Sequence, residues 1–129
     1  MKKDNILQEK SYAFAIKVVE LGYTLIEKKE FILSKQLIRS GTSIGANVEE
    51  GIGAYSRKDF HYKLVIAYKE ARETKYWLRL LRDTKQIAEN TAESLINDVD
   101  ELMRILGSIT KTLKNSWVHF SRCVKKTYS

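Results

Sequence analysis

Residues 31–55 read FILSKQLIRSGTSIGANVEEGIGAY, and the pattern of this stretch decides the fold. Leu37, Gly41, Ile44, Val48, Ile52 and Tyr55 recur at three- and four-residue spacing, which keeps one face of a helix apolar. Ser40, Thr42, Ser43, Gly45 and Ala46 are interleaved with them, and side chains this small let another helix approach closely. Four glycines fall between Gly41 and Gly53. Inside a helix each costs up to about 1 kcal/mol relative to alanine, so this helix must draw its order from packing against neighbours. Gly51 and Gly53 mark its end.

The neighbours are legible on both sides. From Asn5 to about Lys29, Leu7, Phe14, Val18, Leu21 and Leu25 form a core stripe at helical spacing. Ser56, followed by Asp59 at the third position, resembles a capping box and opens a helix from Arg57 to Asp83 whose core face is Phe60, Leu64, Ala67, Ala71, Leu78 and Leu81. Asn90 with Glu93 gives a second capping signature, after which Leu95, Val99, Leu102, Leu106, Ile109 and Leu113 run as a heptad-like stripe. The connections near residues 29–33, 55 and 83–90 are short, which favours antiparallel neighbours. The expected fold is all-α: an up-down-up-down four-helix bundle over residues 1–115, followed by a basic, aromatic tail at 116–129.

Composition agrees. The 129 residues include no proline and only six glycines, as long uninterrupted helices require. With 43% hydrophobic and 30% charged residues the chain can fill a core, which excludes a disordered polymer, and no apolar run is long enough to span a membrane. The N-terminus, MKKDNILQEK, lacks an apolar signal core, and the single thiol, Cys123, has no partner for an internal disulfide. The expectation is a cytoplasmic protein. Two of the helices carry more apolar surface than a bundle core needs. Tyr12, Ile16, Val19, Tyr23 and Ile26 form a second stripe on the first helix, and Tyr62, Val65, Ile66, Tyr76, Trp77 and Leu80 point away from the core face of the third. Tyr12, Ile16, Val19, Tyr23, Ile26, Tyr62, Tyr76 and Trp77 are therefore candidates for a homo-oligomer interface, the alternative being that some of these rings cover the bundle ends.

Charge is uneven along the chain. Residues 57–85 hold nine basic groups against four acidic, residues 86–101 hold five acidic and no basic groups, and six basic groups with no acid follow Glu101. The net charge of +7 favours a polyanionic partner over an acidic small substrate. On the third helix Arg57, His61, Tyr68, Arg72, Lys75, Arg79 and Arg82 fall within a sector of about 80° that no acid shares. Together with Lys114, Arg122, Lys125 and Lys126 they are the candidate nucleic-acid-binding residues. Two readings of the ridge stand side by side: phosphate contact, or ion pairing with the acids of residues 89–101 on an adjacent subunit. In the tail, Trp117, Val118, Phe120 and Tyr128 lie among basic residues, a pattern that suits either docking on the bundle or base stacking.

Catalytic constellations are not found. GIGAYS ends in serine where a dinucleotide loop needs its third glycine, and there is no phosphate-loop motif. Lys58 and Ser116 stand where Glu-x-x-His pairs would need glutamate before His61 and His119, so no di-metal site is expected, and no cofactor. Glu70 and Glu73 are flanked by Lys69, Arg72 and Lys75 and read as ion-paired. Cys123 has no histidine placed to act as its base. The expected protein is not an enzyme; an enzyme reading would have to rest on His61, Glu70, Glu73 or Cys123.

LSKQLIRSGTSIGANVEEGIGAYSRKDF at 33–60 and IAYKEARETKYWLRLL at 66–81 resemble the four helix bundle protein family, the 23S ribosomal RNA intervening sequence proteins. The resemblance covers residues 11–115 and is carried by Gln36, Arg39, Ser43, Ile44, Asn47, Glu50 and Gly51 with Phe60, Ala67, Glu73 and Leu78. It implies an antiparallel four-helix protomer assembling as a ring-like homopentamer. It also implies a context of ribosomal RNA or, in the related accessory variability proteins of diversity-generating retroelements, of a reverse transcriptase and its template RNA. Many members have a Gly-Ser pair in the third helix where this chain has Tyr68, Lys69 and Glu70. The expected function is non-enzymatic binding of structured RNA through basic surfaces, with an accessory role beside a reverse transcriptase as the alternative.

Overall fold

Side-chain capping fixes one helix start where the sequence places it. Ser56 has an extended backbone, and its Oγ accepts from Asp59 N at 3.1 Å, opening a helix that ends at Asp83. The computed structural model describes residues 2–128, and the side chains of residues 6–114, as four helices: α1 (Lys2–Glu27), α2 (Ile32–Ile52), α3 (Arg57–Asp83) and α4 (Glu89–Tyr128). α2 packs against both α1 and α3, α3 against α4, and α4 closes on α1 with a smaller contact. The two remaining pairs, α1 with α3 and α2 with α4, make no close backbone contact among the described residues. This is a four-helix bundle. No helix in the described residues is long and apolar enough to cross a membrane.

The core is one cluster built from the stripes read in the sequence. Leu7, Phe14, Val18 and Leu25 meet Leu37, Ile44 and Val48, then Leu64, Ala67, Ala71, Leu78 and Leu81, and finally Leu95, Val99, Leu102, Leu106 and Ile109. Each fully buried leucine contributes about 1.5–3 kcal/mol relative to exposure. Ile87 and Ala92, outside the predicted stripes, join this core. So does a polar pair, Ser40 and Thr74, whose hydroxyls lie 3.0 Å apart while Thr74 also reaches Glu70 O at 2.7 Å. Leu21, Phe60 and Leu113 are half-buried at its edge.

Glycine sets the α1–α2 spacing. A Cβ on Gly41 would lie 2.6 Å from Val18 Cγ1, and one on Gly22 would lie 2.4 Å from Ile38. Gly45 faces the Ser11 carbonyl, and Gln8 Nε2 donates to Glu49 Oε1 at 2.9 Å farther along the same seam.

Three local expectations are corrected. Tyr55 does not belong to the apolar stripe of α2, because the helix ends at Ile52 and leaves both side chains exposed; Gly53 is its C-cap, while Gly51 stays helical and buried against Phe60 and Lys63. Asn90 does not cap α4, which begins one residue earlier; its Oδ1 accepts from Thr91 N at 2.9 Å. The start of α2 is capped by a residue not singled out in the sequence: Phe31 makes no side-chain cap, and Glu30 Oε1 instead accepts from Ile32 N at 3.0 Å and Leu33 N at 2.7 Å. The backbone of α4 continues helically past Asn115, where the sequence places the end of the bundle.

Candidate nucleic-acid interface

The basic ridge of α3 lies beside α4, and the structure divides it into paired and unpaired cations. Lys75 Nζ is 2.8 Å from Asp100 of α4, and Arg82 Nε is 2.8 Å from its neighbour Asp83. The hydrogen bond between these last two raises the pKa of Arg82 and lowers that of Asp83. Arg57, Arg72 and Arg79 are exposed and make no ion pair among the described residues. His61 and Tyr68 are half-buried, and Tyr68 lies near Gly107 of α4.

Arg72, Lys75 and Arg79 come together with Tyr68, Tyr76 and Met103 as the lining of one open groove between α3 and α4. The groove thus gathers four of the seven ridge residues. Met103 and the partner Asp100 come from α4 and could not be assigned from the ridge alone. Lys114 is exposed, whereas the side chains of Arg122, Lys125, Lys126 and the tail aromatics lie outside those described.

The acidic stretch of α4 is bound largely within the chain. Asp98 meets Lys17 at 2.9 Å and Glu101 meets Lys10 at 2.7 Å, so α1 is tied to α4 by ion pairs at the seam where the helix backbones make the least contact. Hydrogen bonding between Glu101 and Lys10 lowers the carboxyl pKa and raises that of the ammonium. Both are surface groups, so these ties are modest.

The polar strip of α2 runs along the α2–α3 seam. Arg39 donates to Gln36 Oε1 at 3.1 and 3.0 Å, lies 3.5 Å from Glu70, and pairs with Glu73. Glu73 also accepts from Trp77 Nε1 at 3.0 Å, Asn47 donates to Ser43 O at 2.8 Å, and Glu50 pairs with Lys63 at 3.0 Å. Glu70 and Glu73 are therefore ion-paired, with Arg39 rather than with the cations flanking them on α3. Among the described residues no group of three or more His, Cys, Asp or Glu is arranged to hold a metal ion.

Of the eight candidate interface residues, Tyr12, Ile16, Tyr23 and Ile26 on α1 and Tyr62 and Tyr76 on α3 are exposed. Val19 is half-buried, and so is Trp77, which packs on the core and is held by Glu73. Phe31, Ile32 and Tyr55 at the helix ends are also exposed, and the core stripes gave no signal for the first two.

Comparison with known proteins places this arrangement. A crystal structure of a protein of unknown function from the S23 ribosomal protein family of Bacteroides thetaiotaomicron matches with a TM-score of 0.82 and 52% sequence identity, over 84% of this chain and 98% of the other. No curated protein matches. Residues 3–108 match the family model described as 23S rRNA-intervening sequence protein. The match takes in α1 from its second residue, α2, α3, the first half of α4 and both walls of the α3–α4 groove, and the chain belongs to the 23S rRNA-intervening sequence protein family.

Proposed function

We propose that this chain is a non-enzymatic, cytoplasmic RNA-binding protein that recognises structured RNA, ribosomal or element-encoded, through the α3–α4 groove. The observation that carries this reading is the pair Arg72 and Arg79, two exposed guanidiniums that make no close ion pair among the described residues, in one groove with Tyr68 and Tyr76, although Arg79 also stabilises the charge of Asp83 one turn away. Arginines not engaged in close ion pairs on a concave surface attract phosphates, and each contact releases counterions. The family description, which names 23S rRNA, agrees with that chemistry.

The proposed working unit is a ring-like homopentamer of antiparallel up-down-up-down protomers. The antiparallel order is supported by the contacts along the α1–α2 seam, where positions 22, 18, 11 and 8 meet 38, 41, 45 and 49. The ring is supported by the exposed apolar residues Tyr12, Ile16, Tyr23 and Ile26 on α1 and the unlike exposed Tyr62 on α3, helices that do not touch each other. A two-fold dimer needs one self-complementary patch, whereas a closed ring joins two unlike patches head to tail.

Charge reversal tests the groove. Arg72→Glu with Arg79→Glu is expected to weaken binding of a structured rRNA fragment regardless of its sequence, and to flatten the dependence of log affinity on log salt by about 0.7–0.9 per lost contact. Unchanged affinity with the fold intact removes the groove from the account. Failure of the unmodified oligomer to bind RNA points instead to a protein partner, such as a reverse transcriptase.

A further inference from the structure

Within the groove, Tyr76 differs from the cations around it. It stands four residues after Arg72 and three before Arg79, so the three side chains share one face of α3 within two turns. The tyrosine is 53% exposed, and its ring meets Trp77 edge-on, with centroids 5.0 Å apart and planes at 73°. Trp77 is fixed in turn: its Nε1 donates to Glu73 Oε2, and Glu73 is held by Arg39 of α2. The ring is thus buttressed from behind by a chain of contacts that crosses to another helix. Lys75 is engaged with Asp100, which leaves Arg72 and Arg79 as the cations that bracket the ring.

An exposed aromatic ring between two unpaired guanidiniums suits a base with phosphates on either side of it. Bases inside a duplex have both faces covered by their neighbours, so only an unpaired base can stack on such a ring. We propose that Tyr76, Arg72 and Arg79 form a subsite for one unpaired nucleotide, the base stacking on the tyrosine and the flanking phosphates meeting the arginines. The inference rests on the RNA-binding reading above and narrows it to loops, bulges or ends. It also moves Tyr76 from the candidate subunit interface to the ligand surface and leaves Tyr62 as the exposed ring for subunit contact on α3.

The test measures the affinity of the full chain for a single-stranded oligouridylate and for an RNA duplex of equal length, with Tyr76→Ala and Tyr76→Phe beside the unmodified protein and subunit number followed by mass. The expected result is single-strand affinity reduced about tenfold to a hundredfold by Tyr76→Ala, kept by Tyr76→Phe, with duplex affinity and subunit number unchanged. Equal losses on both RNAs, no loss on the single strand, or a change in subunit number with Tyr76→Ala overturns the subsite. If the unmodified protein binds neither RNA, the RNA-binding reading itself fails, an outcome distinct from any failure confined to the variants.

Discussion

At Gly41 two effects of a methyl group oppose each other. Replacing glycine by alanine inside a helix favours folding by up to about 1 kcal/mol, but overpacking a dense core costs about 1–3 kcal/mol. The added Cβ would lie 2.6 Å from Cγ1 and 2.9 Å from Cγ2 of Val18, a branched side chain with one favoured rotamer in a helix and no room to swing aside. Overpacking wins, so Gly41→Ala is expected to destabilise the protein by about 1–2 kcal/mol in denaturant unfolding. Val18→Ala in the same chain should recover part of that loss, giving a double variant more stable than the sum of the single losses. A stabilised Gly41→Ala would show that α1 and α2 are not packed as described. The glycines were legible as a sign of close approach; that Val18 is the residue they admit was not, because their spacing fixes a face and not its partner.

At the scale of the element, the sequence announces the chemistry of some helix ends and conceals that of others. Ser56 was legible because a cap acts over three residues and needs nothing from the rest of the chain. Asn90 carries the same signature, but the chain has already entered the helix at Glu89. The sequence places the ends of α1 and α3 to within two residues, but not how they turn: with no glycine there, both turn through lysines in the left-handed region, Lys29 at φ 65° and Lys85 at φ 59°. Closure comes from backbone bonds reaching back to the last turn: Glu30 N to Leu25 O at 2.9 Å, and Gln86 N to Leu81 O at 2.9 Å. A side chain in that region costs about 1–2 kcal/mol, part of which glycine returns through its greater freedom when unfolded. Lys85→Gly is therefore expected to stabilise the protein by about 0.5–1 kcal/mol, read as a higher denaturation midpoint; a lower midpoint contradicts this account of the turn.

For the whole molecule, the sequence made the bundle legible because four amphipathic stripes close on one another with short links, and the core of Leu37, Leu64, Leu78 and Leu102 follows from periodicity alone. The site was legible only in outline. The ridge positions share a face by helical arithmetic, yet which cations stay unpaired depends on α4 lying alongside, and it is Asp100 that claims Lys75 and leaves Arg72 and Arg79 open. Of the apolar surplus read in the sequence, Tyr12, Ile16, Tyr23 and Ile26 stay exposed on α1, whereas on α3 Val65, Ile66, Trp77 and Leu80 are half-buried against the bundle and Tyr62 and Tyr76 are exposed, a division that wheel positions alone do not give. These strands meet in one claim, that an oligomer of this chain binds RNA through phosphate contacts. The most direct measurement is the affinity of the full chain for a structured rRNA fragment across a salt series, with subunit number followed by mass at each step. The account predicts a multi-subunit assembly whose affinity falls steeply as salt rises. A monomer at micromolar concentration, or an intact oligomer that ignores RNA at every salt concentration, would contradict it.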